Sequence, residues 1–339
     1  MKTEIFTYSH LYHLESGEIL SGFQLSYSTI GQLNEQKDNV IWVCHALTGN
    51  AKVNEWWPGM VGEAAVFDPK DSFIICVNML GSCYGSTNAL SINPATSEPY
   101  YHDFPFLTNR DIVGSFDLLR QHLGIEKINI LAGGSMGGQQ VLEWGIIEPD
   151  RFDYLIPVAT NALHSPWGIA FNESQRMAIE ADPTWKEKAP HAGIIGMKAA
   201  RSVALLSYRN YAAYVGTQSE NNPDVYNDFR ASSYQRYQGE KLAKRFHAFA
   251  YWTLSKAMDS HHVGRGREGV EAALNRIKAK TLVIGVESDV LFPVDEQKFL
   301  ARHIPKAEYV EVQSKYGHDG FLIETDQITE AIREVVTNF

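Results

Sequence analysis

A chain of 339 residues, 44% hydrophobic and 21% charged, is long enough for one large domain or two and has the make-up of an ordinary globular protein. Its formal charge of −10 at pH 7 argues against non-specific nucleic-acid binding, and no run of about 18 apolar residues is present to span a membrane. Cys44, Cys76 and Cys83 are odd in number and lack metal-ligand spacing, and Met1-Lys-Thr-Glu-Ile-Phe6 lacks the apolar stretch of a secretion signal, so reduced thiols, no metal site and a cytoplasmic location are expected.

In chain order, residues 39–44 and 72–77 are short, nearly continuous apolar runs of the kind found in parallel strands buried on both faces. A helical pattern over 111–123, a β run at 128–131, a second helical pattern over 139–147 and a β run at 154–158 follow. From about 165 to 276 the strand signal disappears, and residues 197–215 and 241–258 show helical periodicity around a polar loop at 218–224. Strand patterns resume at 281–285 and 309–312. The alternation predicts an α/β fold, a mostly parallel sheet with helices on both faces. Its core is expected in two parts, 1–164 and 277–339, with 165–276 inserted between them as a helical lid that excludes water from the chemistry.

The segment Gly133-Gly-Ser135-Met-Gly137 lies between the β run and the helical run. G-x-S-x-G in a strand-turn-helix setting is a nucleophile elbow, where small neighbours let the chain double back beneath an exposed serine hydroxyl. The alternative for such a turn is a glycine-rich nest for phosphate. A serine hydroxyl needs a base within hydrogen-bond reach and an acid to orient that base, in the chain order Ser, Asp or Glu, His. Asp289 follows the strand at 281–285, and His318 follows the strand at 309–312. The competitors are Asp259 and Asp295 for the acid, and His45, His261 and His262 for the base. Cys83 is a weaker nucleophile than Ser135 for want of any such context. Backbone N–H donors for a developing oxyanion are expected at Met136, which follows the nucleophile, and at Leu47, with Thr48 as the alternative, in the loop after the strand at 39–44.

Several segments, in order and spread over most of the chain, carry a more specific resemblance: His45-Ala-Leu-Thr-Gly49, Asn78-Met-Leu-Gly-Ser-Cys-Tyr-Gly-Ser-Thr87, Ser91-Ile-Asn-Pro94, Asp103-Phe-Pro105, Gly133 to Gly138, Met258-Asp-Ser-His261, Val263-Gly-Arg-Gly-Arg267 and Tyr316-Gly-His-Asp-Gly-Phe321. In these the chain resembles the homoserine O-acyltransferases of the α/β-hydrolase fold. The resemblance implies a ping-pong reaction in methionine biosynthesis, in which Ser135 takes an acyl group from acyl-CoA and passes it to the hydroxyl of L-homoserine. Acyl-CoA would be a co-substrate with no bound cofactor, the partners small molecules, and the assembly a homodimer. It also implies Arg201 and Asp319 as the substrate's clamp, guanidinium to carboxylate and carboxylate to ammonium. Tyr208, two helical turns beyond Arg201, would line the pocket, while Arg209 is not selected by the family match. Lys52 stands where the family commonly has histidine, Asn88-Ala-Leu90 where Gly-Pro-Ser is commoner, and His262 where aspartate is usual. These departures bear on the acyl donor, for which acetyl is the default and succinyl the alternative. A serine hydrolase is the nearest rival activity, and a non-catalytic binding protein on the same fold a more distant one.

Overall fold

The computed structural model describes residues 1–336. Its centre is an eight-stranded sheet of β1 (Lys2–Tyr8), β2 (Phe23–Ile30), β3 (Val40–Cys44), β4 (Phe73–Val77), β5 (Ile128–Gly134), β6 (Phe152–Val158), β7 (Lys280–Val286) and β8 (Ala307–Val312). They lie side by side in the order β1-β2-β4-β3-β5-β6-β7-β8. From β4 to β8 every pairing is parallel, and β1 and β2 add an antiparallel edge. All six strands expected from the apolar runs are present. β1 and β2 are additional, and their sequences show why the apolar-run criterion passes over them. KTEIFTY is an edge strand with a single buried residue, and FQLSYSTI fills half of its buried positions with Ser26, Ser28 and Thr29.

Because successive side chains of a strand point to opposite faces, β3 feeds two cores. Trp42 enters one of them, packing against Phe116 at 6.1 Å and Trp144 at 4.9 Å between ring centroids. These rings come from α1 (Asn109–His122) and α2 (Met136–Ile147). Ile41 and Val43 enter the other, beneath Ile328 and Ile332 of the C-terminal helix 325–335. α1 starts on a capping box in which the Thr108 side chain accepts from Asp111 N and the Asp111 carboxylate accepts from Thr108 N.

Between β6 and β7 the chain forms α3 (Pro166–Glu180), α4 (Ile194–Tyr208), α5 (Tyr211–Gln218), α6 (Arg230–Ala243) and α7 (Ala248–Asp259). The two continuous helical patterns expected here, 197–215 and 241–258, are each broken. Arg209 is extended (φ −121°, ψ 174°) and Asn210 caps α5 by accepting from Ala213 N at 2.9 Å. His247 caps α7 in the same way, accepting from Ala250 N at 3.0 Å. In both cases an N-cap side chain wins over a periodicity that runs through it. Close packing of α4 on α3 depends on Gly196, where a Cβ would lie 2.4 Å from Ala178 O. The entrance and exit of this helical stretch pair with one another: His164 N donates to His261 O, and Val263 N to Ala162 O. The exit then braces α2, since the buried Glu143 lies 2.7 Å from Arg267 Nη1 and 3.4 Å from Arg110 Nε.

Candidate active site

Ser135 stands between the last residue of β5 and the first of α2 with φ 58° and ψ −125°. A non-glycine residue in that region stores roughly 1–3 kcal/mol of strain and persists only where its surroundings impose it. Here Ser135 N donates to Val158 O at 2.9 Å and Thr160 Oγ1 donates to Ser135 O at 2.8 Å. The turn also needs glycine at position 137, where a Cβ would sit 2.2 Å from Cys44 O. That close approach seats the elbow directly against the end of β3.

His318 and Asp289 arrive on the loops after β8 and β7. His318 Nδ1 lies 2.6 Å from Asp289 Oδ2, and both side chains are buried. The other carboxylate oxygen accepts from Leu291 N at 2.8 Å and Phe292 N at 2.9 Å, so the acid is aimed by its own loop. The Phe292 ring stacks on the imidazole, with centroids 5.0 Å apart and planes at 29°. Phe321, which packs on the same imidazole, lies against Gly134 of the elbow. Ser135 and the His318 loop therefore share a wall. The acid–base link is formed, whereas Ser135 Oγ holds no hydrogen bond among the described residues; such contacts commonly tighten only in the reacting complex. Two of the rivals are engaged elsewhere: Asp259 pairs with Arg176 and accepts from Asn172, and His261 Nε2 donates to Asn161 O at 3.0 Å.

His45 is no base either, but it shapes the neighbouring loop. Met79 N donates to its Nε2 at 3.1 Å, so the ring proton must be on Nδ1, which donates to Ala46 O at 2.8 Å. Burial holds its pKa down to about 4, keeping it neutral. The loop turns at Gly49 N to Ala46 O, 2.8 Å, leaving Leu47 N inside the turn without an acceptor among the described residues. Met136 N is likewise unused, being in the first turn of α2. Arg245, between α6 and α7, fastens this loop by donating to Thr48 O at 2.6 Å and to Tyr84 Oη.

The expected clamp residues gather on the other side of the imidazole. Tyr208 lies 5.8 Å from the His318 ring, and the Arg201 guanidinium lies 5.2 Å from the centre of the Tyr208 ring. Arg201 Nη1 is buried with no partner among the described residues. Asp319, next to His318, is paired with Arg209 at 3.1 Å. Burial pushes the Asp319 carboxyl above the usual carboxylate range against the pull of Arg209 and Arg201. Arg209 thus belongs to the site, which the family match did not select; the helix break at Asn210 that aims it was the available signal. Glu296 was also missed. It accepts from Asn161 at 3.0 Å, and burial, with the nearby charge of Asp289 adding to it, raises its pKa to about 7.

The profile of the α/β-hydrolase fold matches residues 39–325. The homoserine O-acetyltransferase of Cyclobacterium marinum is 54% identical over 328 residues, which cover 97% of this chain and 93% of that one. The chain belongs to the homoserine O-acetyltransferase family. Among solved structures, the family's Bacillus anthracis member superposes with a TM-score of 0.91 at 23% identity, covering 99% of this chain and 98% of that one. A mutant of esterase E22 superposes equally well, TM-score 0.91 and 23% identity over 99% of this chain and all of the esterase. At that distance the superpositions show the shared fold. Within it, the homoserine O-acetyltransferase family is a family of acyltransferases, and an acyl-carrying serine is the chemistry this elbow suits.

Proposed function

We propose that this protein transfers an acyl group, acetyl, from acyl-CoA to the hydroxyl of L-homoserine through an acyl-Ser135 intermediate, a step of methionine biosynthesis. His318 takes the Ser135 proton as Oγ attacks the thioester carbonyl. The oxyanion then faces Leu47 N and Met136 N. Collapse breaks the C–S bond, and His318 returns the proton to the departing thiolate. In the second half the homoserine hydroxyl gives its proton to His318, attacks the acyl-serine carbonyl, and Ser135 Oγ leaves with that proton. Asp289 keeps the imidazole in the tautomer whose Nε2 is free to act as base. The observation that carries the reading is Arg201 Nη1, unpartnered among the described residues, with a charge that reaches Asp319, the residue after the base. A plain hydrolase has no use for a cation and an anion set to hold an amino acid. The helical stretch 165–276, which supplies Arg201, Tyr208 and Arg209, acts as the lid over this pocket. Its exposed apolar side chains, such as Ile195, Leu206 and Met177, suit pairing of two copies.

The test is to mix the protein with acetyl-CoA and follow free thiol with and without homoserine. Thiol release that needs homoserine is the expected result and should vanish in Ser135→Ala. Release without homoserine identifies a hydrolase, silence with acetyl-CoA but not succinyl-CoA reassigns the donor, and silence with both removes the enzymatic reading.

A further inference from the structure

Three buried polar side-chain atoms have no partner among the described residues and belong to side chains grouped around the Asp319–Arg209 pair: Arg201 Nη1, Tyr214 Oη and Tyr234 Oη. They come from α4, α5 and α6, so no local structure explains their meeting. The two phenol rings stand edge to face, 6.1 Å apart at 85°, and the Arg209 guanidinium lies 5.6 Å over the Tyr234 ring. The Tyr214 hydroxyl feels the charges of Arg209, Asp319 and Arg201 together, and burial raises its pKa, so it remains an O–H able to donate. Buried hydroxyls are rarely left without partners, and several in one place next to an unpaired guanidinium nitrogen point to a missing acceptor. The charges specify its sign. Arg209 already compensates Asp319, which leaves Arg201 as the uncompensated charge, and an acceptor there must be an anion.

We infer that Tyr214 and Tyr234 are substrate-positioning residues whose hydroxyls complete, with Arg201 Nη1, a three-donor seat for the α-carboxylate of the amino-acid acceptor. This rests on the acyl transfer to homoserine given above and deepens it. A carboxylate accepts several hydrogen bonds at once, so one guanidinium nitrogen satisfies only part of it, and donors fixed on three packed helices select it without reorganising. Arg209 then has a separate task, holding Asp319 in place through Nε while its flat face steadies the Tyr234 ring.

The experiment compares L-homoserine with 3-aminopropan-1-ol, which keeps the hydroxyl and ammonium but lacks the carboxylate. The quantity read is the ratio of their kcat/KM values with acetyl-CoA as donor. Tyr214→Phe and Tyr234→Phe should each lower that ratio by about tenfold or more, through homoserine, as expected when a hydrogen bond to a charged group is lost. Tyr237→Phe, on the exposed face of α6, should leave it unchanged. A merely structural tyrosine would depress both substrates alike and leave the ratio where it was. A ratio within twofold of the wild type in both variants overturns the inference while leaving the acyltransfer reading intact. If wild-type protein shows no homoserine-dependent thiol release, both fall together, and the two failures are told apart by that control. Should one variant fail to fold, as judged by its thermal melt, the other decides by the same ratio.

Discussion

Asp289 contributes two different things from one carboxylate: one oxygen is consumed by its own loop, and the other fixes the imidazole. Asp289→Asn keeps an oxygen for Leu291 N and Phe292 N but offers an amide N–H to Nδ1, which drives the ring proton to Nε2 and leaves Ser135 without a base. The expected outcome is a loss in kcat of about 10³ to 10⁴ with an unchanged thermal melt. Steady-state kinetics beside the melt check it, and a loss of less than about tenfold would mean that the acid does not set the tautomer. The placement of Ser135, Asp289 and His318 was legible, because each follows a short apolar β run and the turn beyond such a run has few other reasons to carry them. Arg209, Tyr214 and Tyr234 were not. Their significance lies in contacts between helices and across to Asp319, and nothing in their own neighbourhoods marks it, apart from the cap at Asn210.

α2 behaves as a rigid mount for Ser135 because its back is pinned by ions and its front by glycine. Glu143 is held by Arg267 and Arg110, whose side chains are themselves largely buried. Removing the carboxylate strips the largely buried Arg267 of its acidic partner, while Arg110 keeps Glu15 at 2.8 Å. Glu143→Ala should therefore cost about 3–5 kcal/mol in urea unfolding. A cost under about 1 kcal/mol would show the brace to be replaceable by solvent. The same reasoning explains which elements the sequence announces. Strands buried on both faces, such as β3 and β7, advertise themselves through unbroken apolar runs. β1, with one buried residue, and β2, with hydroxyl side chains in buried places, close one edge and depend on their partners for their existence. The broken helices are the converse case, where periodicity is real on both sides of a cap that interrupts it.

Across the whole molecule, four histidines are kept neutral by burial, with pKa values of about 4 for His45, His164 and His247 and about 3 for His261. In the unfolded chain each titrates near 6.5, so acid favours unfolding: their stabilising contribution is whole above that value and is lost as pH falls toward 4. Glu296, raised to about 7, has the opposite sign, as do the raised carboxyls of Asp111, Glu143, Asp259 and Asp319. Near pH 5.5 the four imidazoles together outweigh Glu296, so unfolding takes up protons and stability falls as the pH drops. Melting temperatures taken through the range of about pH 7 to 5 should fall steeply, and a flat profile would show that these imidazoles are charged inside the fold.

The antiparallel contact that joins residues 162–164 to residues 261–263 has a consequence for how such proteins diversify. A segment whose two ends leave the scaffold at neighbouring points is a cassette: its length and content can change without moving the strands on either side. Its helices can then be rewritten while Ser135, Asp289 and His318 stay on the part that does not change.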